Sequence, residues 1–160
     1  MAKYDIATIE GDGIGPEVCA ATVTVLKEAL GSNVLAFNQF PGGASHYVKT
    51  GQVLPQETFD ACNTSHAMLH GAAGLPSVTY PDGTEVGNDL HLQLRFKLDL
   101  YANVRPIRLY QADFSPLKNR QSGDIDYIIV RENTEGLYAS RGAGVLLRGE
   151  VATDTLVLTR

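Results

Sequence analysis

Tyr4-Asp5-Ile6-Ala7-Thr8-Ile9-Glu10-Gly11-Asp12-Gly13-Ile14-Gly15-Pro16-Glu17-Val18 is the stretch on which the reading of the fold turns. Tyr4 to Ile9 is a short β-rich run, and the glycine-dense turn after it gives way at Pro16 to an apolar-periodic segment reaching Leu30. Proline at a first helical position costs nothing, because that N–H has no partner within the helix. Val18, Thr22, Val25, Leu26 and Ala29 make one face of an amphipathic helix. The stretch therefore reads strand, tight turn, helix. Its glycines invite a phosphate-binding reading, but Gly11-x-Gly13-x-Gly15 is not GxGxxG, and no Lys-Ser/Thr pair follows as in a P-loop.

Outward from this unit the alternation continues. Asn33 to Phe40 reads as a second strand and Ala67 to His70 as a third, with short helical pieces at Ser45 to Thr50 and Gln56 to Ala61 divided by Gly51 and Pro55. Strands and helices at this spacing predict an α/β fold with a mostly parallel sheet covered on both faces. Ligands of such sheets gather at the carboxyl ends of the strands, where the turns at 11–15 and 71–74 both lie. Leu75 to Gly87 is a turn-rich loop. Beyond it, Leu90, Leu92, Leu94, Phe96, Leu98 and Leu100 alternate as in a strand, yet Leu90, Leu94 and Leu98 also stack as in a helix, and β-branched residues are absent. Tyr101 to Leu109 and Asp126 to Arg131 read as strands that a long loop can return antiparallel, with Arg105 and Arg131 on a common face. Val145 to Leu147 and Val151 to Leu158 look like strands set among Gly142, Gly144 and Gly149.

Composition bounds the function. The 160 residues are 44% hydrophobic, enough for a core, and 13 basic against 18 acidic residues leave a net charge of −5 with no basic run, which argues against a nucleic-acid surface. No apolar stretch approaches the ~18 residues of a membrane span. Cys19 and Cys62 lack metal-ligand spacing and read as buried thiols of a reducing compartment. With no apolar leader at the start, the expectation is a cytoplasmic protein.

Two runs carry chemistry. One holds Leu94-Arg95 and then Asp99-Leu100-Tyr101-Ala102-Asn103-Val104-Arg105-Pro106; the other is Val130-Arg131-Glu132-Asn133-Thr134-Glu135-Gly136-Leu137-Tyr138. A guanidinium presents a planar fork of donors that matches a carboxylate two bonds at a time, so Arg95, Arg105 and Arg131 together suit a substrate with two or more carboxylates. Tyr138 can supply a proton: phenol titrates near ~10 in water, stays protonated at neutral pH, and can act as an acid toward a developing enolate.

Together with Ile9 to Val18, these runs resemble the substrate-binding signature of the β-decarboxylating dehydrogenases, the family of isocitrate, homoisocitrate, 3-isopropylmalate and tartrate dehydrogenases. The resemblance covers the whole chain but not the whole enzyme. Family members are more than twice as long, and their second half carries a catalytic lysine, the metal-binding aspartates and a cofactor loop that nothing after Tyr138 matches. The resemblance implies a first α/β lobe over 1–98 and the start of a second, dimer-forming lobe with antiparallel strands over 99–160. It also decides for a helix ending near Leu98.

On that helix the resemblance turns Asn88, His91 and Arg95 toward the substrate. Arg95, Arg105 and Arg131 would clamp a small dicarboxylic 2-hydroxy acid, Tyr138 would reprotonate the enolate left by decarboxylation, and Asp12, Ile14 and Asn88 would stand on the side of the NAD or NADP. Mg²⁺ or Mn²⁺ would take its ligands from the missing half, so no metal ligand is assigned in this chain. Isocitrate enzymes usually place asparagine where His91 stands and serine where Asp89 stands, and a carboxylate at Asp89 would repel a third substrate carboxylate. Isopropylmalate enzymes place an apolar pair at His91 and Leu92 and glutamate at Asn88, and only Leu92 fits. Glu132 to Gly136 sits closer to the isocitrate, homoisocitrate and tartrate branches, and Asp99 to Pro106 looks most like homoisocitrate or tartrate forms. Arg108 and Arg120 fall outside the signature and read as surface charges. The apolar segment after Tyr138 implies a homo-oligomer. Two functions follow: the first half of an oxidative decarboxylase that needs its second half, or a non-catalytic dicarboxylate-binding subunit that keeps the arginines alone.

Overall fold

The structure, a computed structural model, describes residues 3–136, 138–139 and 144–159, so Leu137 and Gly142 of the motifs above lie outside the described residues. The chain divides into two compact units, Met1–Leu98 and Asp99–Arg160.

In the first unit the order is β1 (Tyr4–Ile9), α1 (Gly15–Leu30), β2 (Leu35–Gln39), α2 (Ala44–Thr50), α3 (Gln56–Thr64), β3 (Ala67–His70) and α4 (Val86–Lys97). The three strands form a parallel sheet in the order β2-β1-β3, with Ile6 opposite both Phe37 and Ala67. Successive side chains of a strand point to opposite faces. Ala7 and Ile9 enter a core with Ala44, Val53, Leu54, Cys62, Val86, Leu90 and Leu94, while Thr8 on the other face lines a cavity with Cys19, Val23 and Phe37. The ambiguous leucine run is helical: Leu90 and Leu94, one turn apart, are both fully buried and pin α4 to the core. Each such side chain contributes about 1.5–3 kcal/mol.

The apolar stripe of α1 is not what the sheet buries. Gly15 and Cys19 are the buried positions of this helix, whereas Val18 and Val25 are 49% and 65% exposed. The turn before the helix sets its rotation. A Cβ on Gly15 would lie 2.0 Å from the carbonyl oxygen of Glu10, so that residue must face the sheet end, and Cys19 one turn on follows it to Gly71. Val18 and Val25 are thereby rotated outward.

The second unit contains β4 (Ala102–Arg108), a 3₁₀ turn at Ala112–Phe114, β5 (Asp126–Glu132), β6 (Val145–Leu147) and β7 (Val151–Thr153). β4 and β5 form an antiparallel ribbon with Asn103 opposite Arg131 and Arg105 opposite Ile129. β6 and β7 form a hairpin around Arg148 and Gly149, both at positive φ, with the Glu150 N–H donating to the Leu147 carbonyl. Three residues, Arg148 to Glu150, thus connect the two strands. Val104, Ile128, Ile129 and Val130 on the first ribbon and Leu146 on the second are exposed.

Candidate functional site

In the first unit the loops that leave β1, β2 and β3 are tied together by one carboxylate. Asp12 Oδ2 accepts from the N–H groups of Ala44 (2.7 Å) and Gly74 (2.8 Å), and Oδ1 accepts from Ser45 N–H (2.7 Å). Its own N–H donates to the Ala72 carbonyl. Burial alone would raise the pKa of this side chain, but the hydrogen bonds from Ser45, Gly74 and Ala44 together outweigh it and hold the carboxyl below its ordinary range. Gly74 in turn meets α4 backbone to backbone, since a Cβ on Gly87 would lie 2.1 Å from the Gly74 Cα. Asp12 thus fixes the loop on which the start of α4 rests. Both of its oxygens are engaged by backbone N–H groups of the protein itself. Ile14, by contrast, is 66% exposed and offers an apolar face beside the turn.

Helix α4 carries His91 and Arg95 one turn apart on one face, with the ring of His70, from the end of β3, meeting His91 edge to face. Burial first, then the positive charges of His70 and Arg95, push the His91 imidazole below its ordinary pKa, with Asp89 opposing. Asn88 donates to Glu85 at 3.0 Å. Asp89 accepts from the Tyr80 hydroxyl at 3.0 Å and from Gln93 at 2.8 Å. At about 100° per residue it sits on the flank of the helix away from His91. Asp89 nonetheless acts on the His91 imidazole electrostatically, opposing the lowering of its pKa.

In the second unit Arg105 and Arg131 share one face of the β4–β5 ribbon, because Ile129, opposite Arg105, is two residues from Arg131. Arg105 Nε donates to Asn103 Oδ1 at 3.1 Å. Arg131 Nη2 donates to the Tyr138 hydroxyl oxygen at 2.8 Å, with the guanidinium carbon 5.5 Å from the ring centroid. The phenol oxygen is thus the acceptor toward the guanidinium. The turn between them is organised by Glu132, whose Oε1 accepts from Thr134 and Glu135 N–H and from the Thr134 hydroxyl. Burial would raise the Glu132 pKa, yet the Thr134, Glu135 and Asn133 bonds lower it. Asn133 itself is buried. Arg108 stands 3.8 Å from Asp126 as an exposed pair.

His70 and Glu132 are the polar residues that sequence reasoning passed over. Only the acidic residue following Arg131 within the motif offered a signal for Glu132, and His70 offered none. Among the described residues no three His, Cys, Asp or Glu side chains cluster as metal ligands. No described helix is long and apolar enough to cross a membrane. Both cysteines are buried free thiols, as their apolar contexts predicted.

Residues 5–160 match the protein family described as isocitrate/isopropylmalate dehydrogenase. The chain is 42% identical over 159 residues to a 3-isopropylmalate dehydrogenase of Clavibacter michiganensis subsp. michiganensis, covering 96% of this chain and 44% of that relative. It is 40% identical over 167 residues to a probable tartrate dehydrogenase/decarboxylase of Agrobacterium vitis, covering 100% of this chain and 45% of the relative. Among solved structures, isocitrate dehydrogenase from Methylococcus capsulatus superposes with a TM-score of 0.76 at 29% identity, over 98% of this chain and 43% of that one. The chain therefore spans less than half the length of the curated relatives it matches.

Proposed function

This chain belongs to the isocitrate/isopropylmalate dehydrogenase family, and from that premise we propose that it is the N-terminal half of an enzyme that oxidatively decarboxylates a 3-substituted malate. Arg95, Arg105 and Arg131 bind the carboxylates of the substrate, and Tyr138 returns a proton to the carbon that loses carbon dioxide. The observation that carries this reading is the Arg131–Tyr138 hydrogen bond, which sets a proton donor against a carboxylate-binding cation. A dinucleotide, NAD or NADP, supplies the hydride acceptor when bound, and the exposed Ile14 with the loops held by Asp12 is where this chain would meet it. Mg²⁺ or Mn²⁺ would take its ligands from the missing half and, when bound, would supply Lewis-acid polarisation of the substrate.

The second half is required for turnover in this reading. In its support, the β4–β5 ribbon exposes Val104 and Val130 on one face and Ile129 on the other, as strands do that are made to be covered on both sides. The face of α1 lined by Val18, Ala21, Val25 and Leu26 is likewise a groove without cover among the described residues. The exposed β6–β7 hairpin pairs, in this proposal, with the same segment of a second subunit, giving a homodimer. Two free buried thiols suit a cytoplasmic setting.

Cofactor reduction tests the proposal, measured with Mg²⁺, NAD or NADP, and a panel of 3-substituted malates. The chain alone should give no turnover. Adding a polypeptide equivalent to the second half of the Clavibacter relative should restore it, and Tyr138→Phe should then lower kcat by about 10²–10⁴-fold. Turnover by the isolated chain would refute the need for a second half. Reconstituted turnover untouched by Tyr138→Phe would refute the role of the phenol.

A further inference from the structure

The turn that carries Tyr138 is tied from two sides. On the inner side the Glu132 carboxylate, next in sequence to Arg131, accepts from the N–H groups of Thr134 and Glu135 and from the Thr134 hydroxyl. The Tyr138 N–H then donates to the Glu135 carbonyl at 3.3 Å. On the outer side the partner lies 24 residues further along the chain. Glu135 accepts from the Thr159 N–H at Oε2 (2.7 Å) and from the Thr159 hydroxyl at Oε1. Gly136 beside it exchanges backbone bonds with Val157, its N–H donating to the Val157 carbonyl at 2.7 Å and its carbonyl accepting from the Val157 N–H at 3.4 Å. The segment that leaves β7 therefore runs along the turn and is fastened to it at both residues.

Arg131 takes its position from the β4–β5 ladder, opposite Asn103. Tyr138 lies beyond the end of β5, so the place of its phenol follows the place of the turn. We propose that Glu135 is a positioning residue for the proton donor: its two-point hold on Thr159 fixes the turn from which Tyr138 meets Arg131. This deepens the dehydrogenase reading and rests on it for the role of the phenol. A carboxylate that takes two donors of one residue on its two oxygens fixes orientation as well as distance, and bonds to a charged acceptor are the stronger kind. Proton transfer needs that precision, since donor and acceptor must come within about 2.6–3.2 Å and a displacement of about 1 Å can cost 10²-fold in rate. The segment leaving the β6–β7 hairpin is thereby part of the site, although none of its residues reaches the substrate-binding arginines in sequence or motif.

The test is nuclear magnetic resonance of the full 160-residue chain with isotope-labelled arginine and tyrosine. A guanidinium held at one arm turns slowly about that C–N bond, so Arg131 should show separate Nη resonances that merge in Tyr138→Phe. Glu135→Ala should merge them too, with the amide resonances of β4 and β5 in place. Thr159→Pro strips both donors from the far side of the contact, leaves the turn's own residues alone, and should do the same; it carries the test if Glu135→Ala does not fold. Glu135→Gln keeps one oxygen for Thr159 and should fall between. In enzyme reconstituted with the second half, Glu135→Ala should lower kcat about 10–100-fold and change KM by less than about threefold, because the arginines keep their places. Separate Nη resonances persisting in Glu135→Ala or Thr159→Pro, resonances already merged in the unsubstituted chain, or equal disturbance of the β4 and β5 amides would overturn the positioning role and leave the dehydrogenase reading standing. Reconstituted turnover untouched by Tyr138→Phe would overturn that reading instead, and with it the claim that what Glu135 positions is a proton donor.

Discussion

Replacing Asp12 tests the part of the structure from which both the loops and α4 take their position. Its carboxylate is 2% exposed and accepts three backbone N–H bonds at 2.7–2.8 Å. Hydrogen bonds to a charged acceptor contribute about 1.5–3 kcal/mol each, and their effects within one network do not simply add. Asp12→Ala strands three donors at once and should cost about 3–6 kcal/mol, a large share of the 5–15 kcal/mol that holds a domain together. Asp12→Asn can turn its amide oxygen toward Ala44 and Gly74 but then sets an NH₂ against the Ser45 N–H, so its cost should be about 1–3 kcal/mol. Urea unfolding gives the total, and amide hydrogen exchange gives the location. Protection at Ala44, Ser45 and Gly74 should fall by about 10²–10⁴-fold in Asp12→Ala, at 1.36 kcal/mol per factor of ten. The pH dependence has a definite sign. With the folded pKa lowered, the stabilisation is complete above the unfolded value near ~3.9 and is lost as pH falls through the folded one. Asp12→Asn should therefore flatten stability below about pH 4. Unchanged exchange at those three amides in Asp12→Ala would refute the claim that this carboxylate ties the loops.

Two further substitutions probe α4. Gly87→Ala places a methyl group 2.1 Å from the Gly74 Cα, a clash with backbone that no rotamer relieves, and should cost about 1–3 kcal/mol in urea unfolding; a change within ±0.5 kcal/mol would show that the helix is not seated there. His91, with its pKa lowered by burial and by the charges of His70 and Arg95 against that of Asp89, should confer acid sensitivity. The unfolded chain takes up its proton first, so stability is complete above about pH 6.5 and declines as pH falls toward the folded pKa. His91→Gln should remove that decline between about pH 7 and 5 in thermal unfolding, and an undiminished slope would assign it to other groups.

The parts of this fold that the sequence announces are those in which short-range pattern and long-range packing demand the same thing. β1, its glycine turn and α1 follow each other without a gap, and each residue type there has a local reason: β-branched residues in the strand, glycines at positive φ in the turn, proline opening the helix. The leucine run shows the opposite case. Leu90 to Leu100 satisfies the strand period and the helix period alike, and composition alone does not settle it. What settles it physically is that Leu90 and Leu94 are buried in the core with Ile9, Val53 and Leu54 while Leu92 between them is only half-buried and Phe96 is exposed, which is the four-residue repeat of a helix and not the two-residue repeat of a strand.

The candidate site divides in the same way. Arg131 and Tyr138 lie seven residues apart in the sequence, so a motif can carry their contact. The donors to Asp12 come from positions 32, 33 and 62 residues away, and His70 and His91 belong to different elements. Nothing local distinguishes Asp12 as a clamp from Asp12 as a ligand, because a carboxylate in a glycine turn suits both until the N–H groups that fill it are placed. The exposed Val18 and Val25 carry a converse lesson. Their spacing asks for burial, the rotation fixed by Gly15 denies it within the first unit, and the β4–β5 ribbon exposes Val104 and Val130 in the second. Apolar side chains on separate elements that all lack cover are simplest to understand as one demand: surfaces for polypeptide of the length by which the relatives exceed this chain, which makes their exposure an argument for the two-part enzyme proposed above.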